Sequence, residues 1–207
     1  MASALIHLAV AKTLEKYLSI ENPKDYYLGT IAPDISKQIG ETKTKSHFII
    51  NTPEDIPNIN TFIKKYPNFK YNSFDLGYFI HLYTDKIWFS KFMTNIVAGN
   101  YLKLLDGTII KTTPEQMQDV IYQDYTNLNV QLLDEYNMDL SLFYEEFFPP
   151  KTTINEIPTN KLNILIDKMG IIIKNSKELK PYTFDAYLIL EFIDNTSQKI
   201  LEELKKY

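Results

Sequence analysis

One stretch limits the fold more than any other: Phe74 to Phe92, FDLGYFIHLYTDKIWFSKF. At about 100° per residue, Phe74, Gly77, Tyr78, His81, Asp85, Trp88 and Phe92 fall on one stripe of a helix. Phe79, Leu82, Tyr83, Ile87 and Phe89 cover the opposite side. A helix that is apolar nearly all round belongs inside a bundle. Yet the centre of the main stripe holds His81 and Asp85, one turn apart. A buried carboxylate without a partner is costly or loses its charge. Something must therefore sit opposite Asp85. Side chains at i and i+4 are neighbours. They can close together on a metal ion, or bond to each other within the core.

The rest of the chain reads as further helices around this one. The pattern predicts a helix over 3–19 capped by Ser3, with Ala4, His7, Ala11, Leu14 and Leu18 on one face. A short helix or turn follows at 25–32, then Pro33-Asp34, where an aspartate commonly serves as a turn or cap residue. Residues 36–52 lack a period and read as a loop. In it, Phe48, Ile49 and Ile50 form an apolar anchor beside His47. Pro53 and Pro57 bracket a transition to a helix at 58–66. Asp106-Gly107 between apolar runs signals a short β-hairpin near 100–113. Thr113-Pro114 starts a helix to about 137. Helices at 139–147, 158–175 and 183–205 complete an all-α multi-helix bundle, read as a single domain over 1–207.

With no cysteine, thiolate metal sites and cysteine nucleophiles are excluded. The three histidines, His7, His47 and His81, all lie in the first 81 residues. Together with Asp34 and Asp85 they make a set of nitrogen and oxygen donors that suits Zn²⁺, and also Mn²⁺ or Fe²⁺. Five ligands exceed what one tetrahedral zinc uses. The set fits one ion with an outer partner, or two ions sharing a carboxylate. Two-metal sites of that kind hydrolyse phosphoesters. Lys37, Lys43 and Lys45 give the 36–52 loop a positive cast, either as a solvated loop or as contacts for a substrate phosphate. Asp124 and Asn127 lie in a helix rich in asparagine, as a polar face or as a pocket wall.

Four segments carry a family resemblance: HLAVAK around His7, YYLGTIAPDI around Asp34, KSHF around His47, and FDLGYFIHLYTDKIW around His81 and Asp85. In this order and spacing they resemble the zinc-dependent phospholipase C family, which shares its all-helical fold with the P1-type nucleases. The resemblance covers roughly the first 95 residues. It implies that Asp34, His47, His81 and Asp85 hold one zinc, and that Asp85 bridges to a second metal bound also by His7. It further implies that Asp34 is the candidate general base for the attacking water. The family's secreted members bind three zincs; they supply two further histidines and a glutamate on a later helix, and they also use the amino and carbonyl groups of a processed N-terminal tryptophan. Here no histidine follows position 81, and the chain starts Met-Ala. Asp124 or Asn127 is the available replacement ligand on the later helices.

The expected function is hydrolysis of a small phosphoester by metal-activated water. The alternative is a non-catalytic protein that keeps its metal for stability or sensing. An HD-type phosphohydrolase is set aside, because every histidine is followed by Leu or Phe. The net charge of −4 gives no footprint for long nucleic acid. No apolar run reaches the length of a membrane span. The absence of a basic, signal-like start points to a cytoplasmic protein, and the Ile-, Lys- and Asn-rich composition to a bacterial one.

Overall fold

The computed structural model describes residues 1–50, 56–138 and 140–207. Pro53, expected at a transition, lies outside them. Eight α-helices, together with short 3-10 turns and a three-stranded antiparallel sheet, make up the regular structure among the described residues. The fold is all-α, as expected.

Helix α1 (Ala4–Glu15) is shorter than its sequence period suggests, and Ser3 caps it by accepting the Ile6 N–H at 3.3 Å. Asn22 caps α2 (Pro23–Gly29), with Pro23 in the first turn, where its missing N–H costs nothing. A 3-10 turn over Ala32–Asp34 leads into the single-turn α3 (Ile35–Gln38). Asn58 and Asn72 cap α4 (Ile59–Lys65) and α5 (Ser73–Ile87) in the same manner as Asn22. The α5 core is buried over almost its whole length, from Phe74 to Asp85. Its last apolar stretch, Trp88–Phe92, widens into a π-helical turn. Such turns are rare and recur near functional sites.

The hairpin appears with one more strand than expected. Strands β1 (Val97–Ala98), β2 (Tyr101–Lys103) and β3 (Ile109–Lys111) pair antiparallel in the order β1-β2-β3. Gly107 takes a φ of 86° in the turn, a conformation open to it because it lacks a Cβ. Helix α6 (Pro114–Glu135) begins with a full capping box between Thr113 and Gln116. The helix expected at 139–147 is replaced by a 3-10 turn over Ser141–Phe143, and Asp139 lies outside the described residues. The Pro149-Pro150 pair disfavours helical backbone at Phe148, so no helix runs on through it. Helices α7 (Asn163–Lys174) and α8 (Ala186–Leu204) end the chain.

Two contacts fix α5 within the bundle. Helix α2 crosses it with Gly29 against Gly77. A Cβ built on Gly29 would lie 2.2 Å from the Phe74 carbonyl oxygen, and one on Gly77 only 2.1 Å from that of Tyr26. The two backbones are therefore in direct contact. At its far end, Trp88 packs edge-on to Phe184 and Phe192, with ring centres 5.8 and 5.1 Å away, tying α5 to α8. No helix among the described residues is long and apolar enough to cross a membrane.

Candidate metal centre

Helix α1 brings His7 to the centre of the bundle, and its ring stacks on that of His81 with centroids 3.9 Å apart. Both rings are fully buried. The loop bearing His47 is fastened to α5 by Tyr78, whose hydroxyl donates to the Ser46 carbonyl at 2.6 Å. Phe48, just after it, takes a φ of 54°. That left-handed conformation is strained for a bulky residue and aims His47 inward while Phe48 wedges against Phe62. The anchor expected from Phe48, Ile49 and Ile50 thus rests on Phe48, since Ile50 is exposed. Asp34 stands at the start of α3, yet its carboxylate makes no capping bond to that helix. It turns instead toward the histidines.

All five residues singled out in the sequence meet here. Asp85 Oδ1 lies 3.4 Å from His7 Nε2, and Asp85 Oδ2 lies 3.5 and 3.8 Å from the Nε2 atoms of His47 and His81. Asp34 Oδ1 is 3.5 Å from His47 Nε2 and 3.9 Å from His81 Nε2. Two groups of three ligand atoms are close enough to share an ion: His7, His81 and Asp85, and Asp34, His47 and His81.

The hydrogen bonds around the cluster decide which atoms are left for an ion. His81 Nδ1 bonds the Thr30 carbonyl at 2.8 Å, which fixes its proton there and leaves Nε2 with a lone pair. The Ser46 hydroxyl donates to the Lys43 carbonyl and lies 2.9 Å from His47 Nδ1, so it accepts the ring proton. His47 Nε2 is then also a bare acceptor. These two nitrogens face each other at 3.1 Å. Asp34 Oδ1, Asp85 Oδ2 and both nitrogens of His7 are buried without a hydrogen-bond partner. Buried polar atoms are nearly always paired. The Nε2 atoms of His47 and His81 and the unpartnered oxygens of Asp34 and Asp85 are all acceptors, and of the five side chains only His7 has a proton to offer them; such a convergence is repulsive as it stands and suits a cation. The residues therefore fit zinc, both in donor chemistry and in their unmet bonding.

The charges agree. Burial, then the nearby His7 ring, pushes the pKa of His81 down to about 3, so its ring is neutral and its lone pair free. Burial alone would raise both carboxylates. For Asp34 this is outweighed by His47 and His81, and for Asp85 by His7 and the positive groups around it, which hold it well below the usual range. Asp85 Oδ1 also accepts the Ala2 N–H at 3.0 Å. Only Asp34 has an appreciably accessible side chain, at 15% against 1% or less for the others. It faces a cavity of about 730 Å³ walled by Phe89, Met93, Met117, Ile121, Leu165 and Met169.

Two residues considered as replacement ligands lie outside the cluster. Asp124 accepts the backbone N–H groups of Tyr182 and Thr183, each at 2.7 Å, and the Thr183 hydroxyl at 2.5 Å. Asn127 Oδ1 takes the Leu179 N–H. Both are buried because they fasten the segment before α8. Sequence reasoning did not single out Thr30 and Ser46, which orient two of the rings. A carbonyl acceptor leaves no residue-type signal, although the serine directly before His47 was visible.

Fold and cluster together define a helical protein with three histidines and two aspartates converging in its core. Residues 3–96 match the family model described as zinc dependent phospholipase C, which spans all five cluster residues and upholds the resemblance over that part of the chain. No curated protein and no solved structure matches the chain significantly.

Proposed function

We propose that the protein is a metal-dependent hydrolase of phosphoester bonds, with His7, Asp34, His47, His81 and Asp85 holding one or two zinc ions. The observation that carries this reading is the convergence of buried, unpartnered acceptor atoms from His47, His81, Asp34 and Asp85. The family match over the same residues supports it. Bound zinc would supply an activated water and a positive centre for the charge that develops on the phosphoryl oxygens. The residues of the chain do the rest. Thr30 and Ser46 hold two imidazoles in the tautomer that offers Nε2. Asp85 places one oxygen toward His7 and the other toward His47 and His81, as a bridging carboxylate would. Asp34, ionised and open to the cavity, accepts a hydrogen from the attacking water and orients it. The apolar cavity wall favours a phosphoester with an apolar portion. A long nucleic acid would find no such complement on a chain of net charge −4.

One observation favours a second reading, a metal site kept for stability. Among the described residues, none beyond Asp85 joins the candidate ligand groups. Asp34→Asn discriminates. In a hydrolase the wild type turns over a generic phosphodiester, such as bis(p-nitrophenyl) phosphate, and the variant does not, even in excess zinc that restores its melting temperature. If the site is structural, there is no turnover to lose and the zinc-dependent part of the stability falls instead.

A further inference from the structure

Lys37 sits three residues after Asp34, in α3, and lines the same small cavity of about 120 Å³ as Asp34 and His47. Lys43 and Glu41 border it too. Lys37 and Asp34 also border the larger apolar cavity. The Lys37 ammonium donates to the Tyr122 hydroxyl at 2.7 Å and lies 5.3 Å from the centre of that ring. A neutral phenol and an aromatic face hold an ammonium in place without cancelling its charge. The Lys43 ammonium lies 4.8 Å from the centre of the Phe89 ring. Lys37 and Lys45 are both exposed, and Lys45 borders neither cavity.

Charge balance gives Lys37 a task. Asp34 and Asp85 together carry two negative charges when ionised, enough to neutralise one zinc dication. In the one-zinc arrangement a phosphodiester anion meets little net attraction, and in either arrangement a nearby fixed cation adds to it. We propose that Lys37, held by Tyr122, is a phosphate-binding residue of this site, its ammonium donating to a non-bridging phosphoryl oxygen while the apolar part of the substrate lies along α6 and α7. This rests on the phosphoester reading. It also gives α6, beyond the residues that match the family, a part in substrate binding.

The test is binding of inorganic phosphate to the zinc-loaded protein at fixed ionic strength, with diester turnover followed alongside. Lys37→Gln weakens phosphate binding by about ten-fold or more, the scale of a lost charged hydrogen bond. Lys37→Arg restores most of it, and zinc content is unchanged in both. Should Lys37→Gln also lose zinc, Tyr122→Phe becomes the readout and must itself weaken phosphate binding. Wild-type protein that binds no phosphate overturns the inference, as does Lys37→Gln protein that binds it unchanged. If Lys37→Gln binds phosphate unchanged but the wild type hydrolyses the diester, only the role of Lys37 falls. If phosphate binding depends on Lys37 but no diester or monoester is hydrolysed, the hydrolase reading falls and the binding site stands.

Discussion

Replacing Gly77 by alanine tests how the fold holds the site. The added Cβ would lie 2.1 Å from the Tyr26 carbonyl oxygen and 3.0 Å from the Thr30 nitrogen. Both are backbone atoms, and neither can swing away as a side-chain tip could. A tolerable contact needs about 3.2 Å, so α2 and α5 must separate by about 1 Å. Overpacking a tight core costs about 1–3 kcal/mol, and a clash against backbone belongs at the upper end. For a chain of this size that is a fall in melting temperature of roughly 6–12 °C. The same separation moves the Thr30 carbonyl, which holds His81 Nδ1 at 2.8 Å. Losing such an orienting bond typically costs about ten- to a hundred-fold in metal affinity. Thermal unfolding in chelator and zinc titration of the folded protein read the two effects separately. Gly170→Ala is the control. Its Cβ would meet only the Tyr144 hydroxyl at 3.2 Å, and the melting temperature should barely move. A Gly77→Ala protein with wild-type melting temperature and zinc affinity would refute the argument that this crossing positions His81.

The buried carboxylates outside the cluster supply two more tests. Asp124→Ala should strip acceptors from the backbone of Tyr182 and Thr183, at about 1–3 kcal/mol for each buried donor left unpaired, while zinc content stays at the wild-type level; a loss of zinc with the fold intact would place Asp124 in the metal site after all. Asp75 is held by Thr152 and Thr153, and its burial raises its pKa above the ordinary value. The folded state therefore binds that proton more tightly than the unfolded chain, and the stability it contributes at low pH is lost as pH rises through the raised pKa. Asp75→Asn removes this dependence, so its stability relative to wild type should improve between about pH 4 and pH 7, as read from urea midpoints. A gap that stays constant or moves the other way would contradict the assignment.

The sequence made the cluster legible because its members lie on strongly periodic helices or beside unmistakable anchors. His81 and Asp85 follow from the helical stripe, and His7 from an apolar face with small neighbours. Placing Asp34 and His47 beside them needed the family pattern, since local reading gave only a turn residue and a loop. Helix caps at Ser3 and Thr113 were visible as residue types at element starts. What failed was polarity without a period. Asp124 and Asn127 read either as an ordinary polar face or as a pocket wall, because an unusual polar run on a helix does not name its partner. Their partners, the backbone groups at 179–184, lie more than fifty residues away. The 139–147 stretch misled for a related reason. Its aromatic residues suggest a packed face, but the diproline after it stops a helix from propagating back. The meeting of Lys37 with Tyr122 was likewise out of reach, because it joins side chains 85 residues apart.

The most direct test of the account is the metal content of protein purified without chelator or nickel affinity, beside His81→Ala. His81 belongs to both groups of candidate ligand atoms, so its loss dismantles either arrangement. The account predicts zinc bound stoichiometrically to the wild type, absent from the variant, and a melting temperature that rises when zinc is returned to the stripped wild-type protein alone. Wild-type protein that carries no metal, and whose melting temperature ignores added zinc, would contradict it: the five residues would then be a polar core with no ion to resolve it.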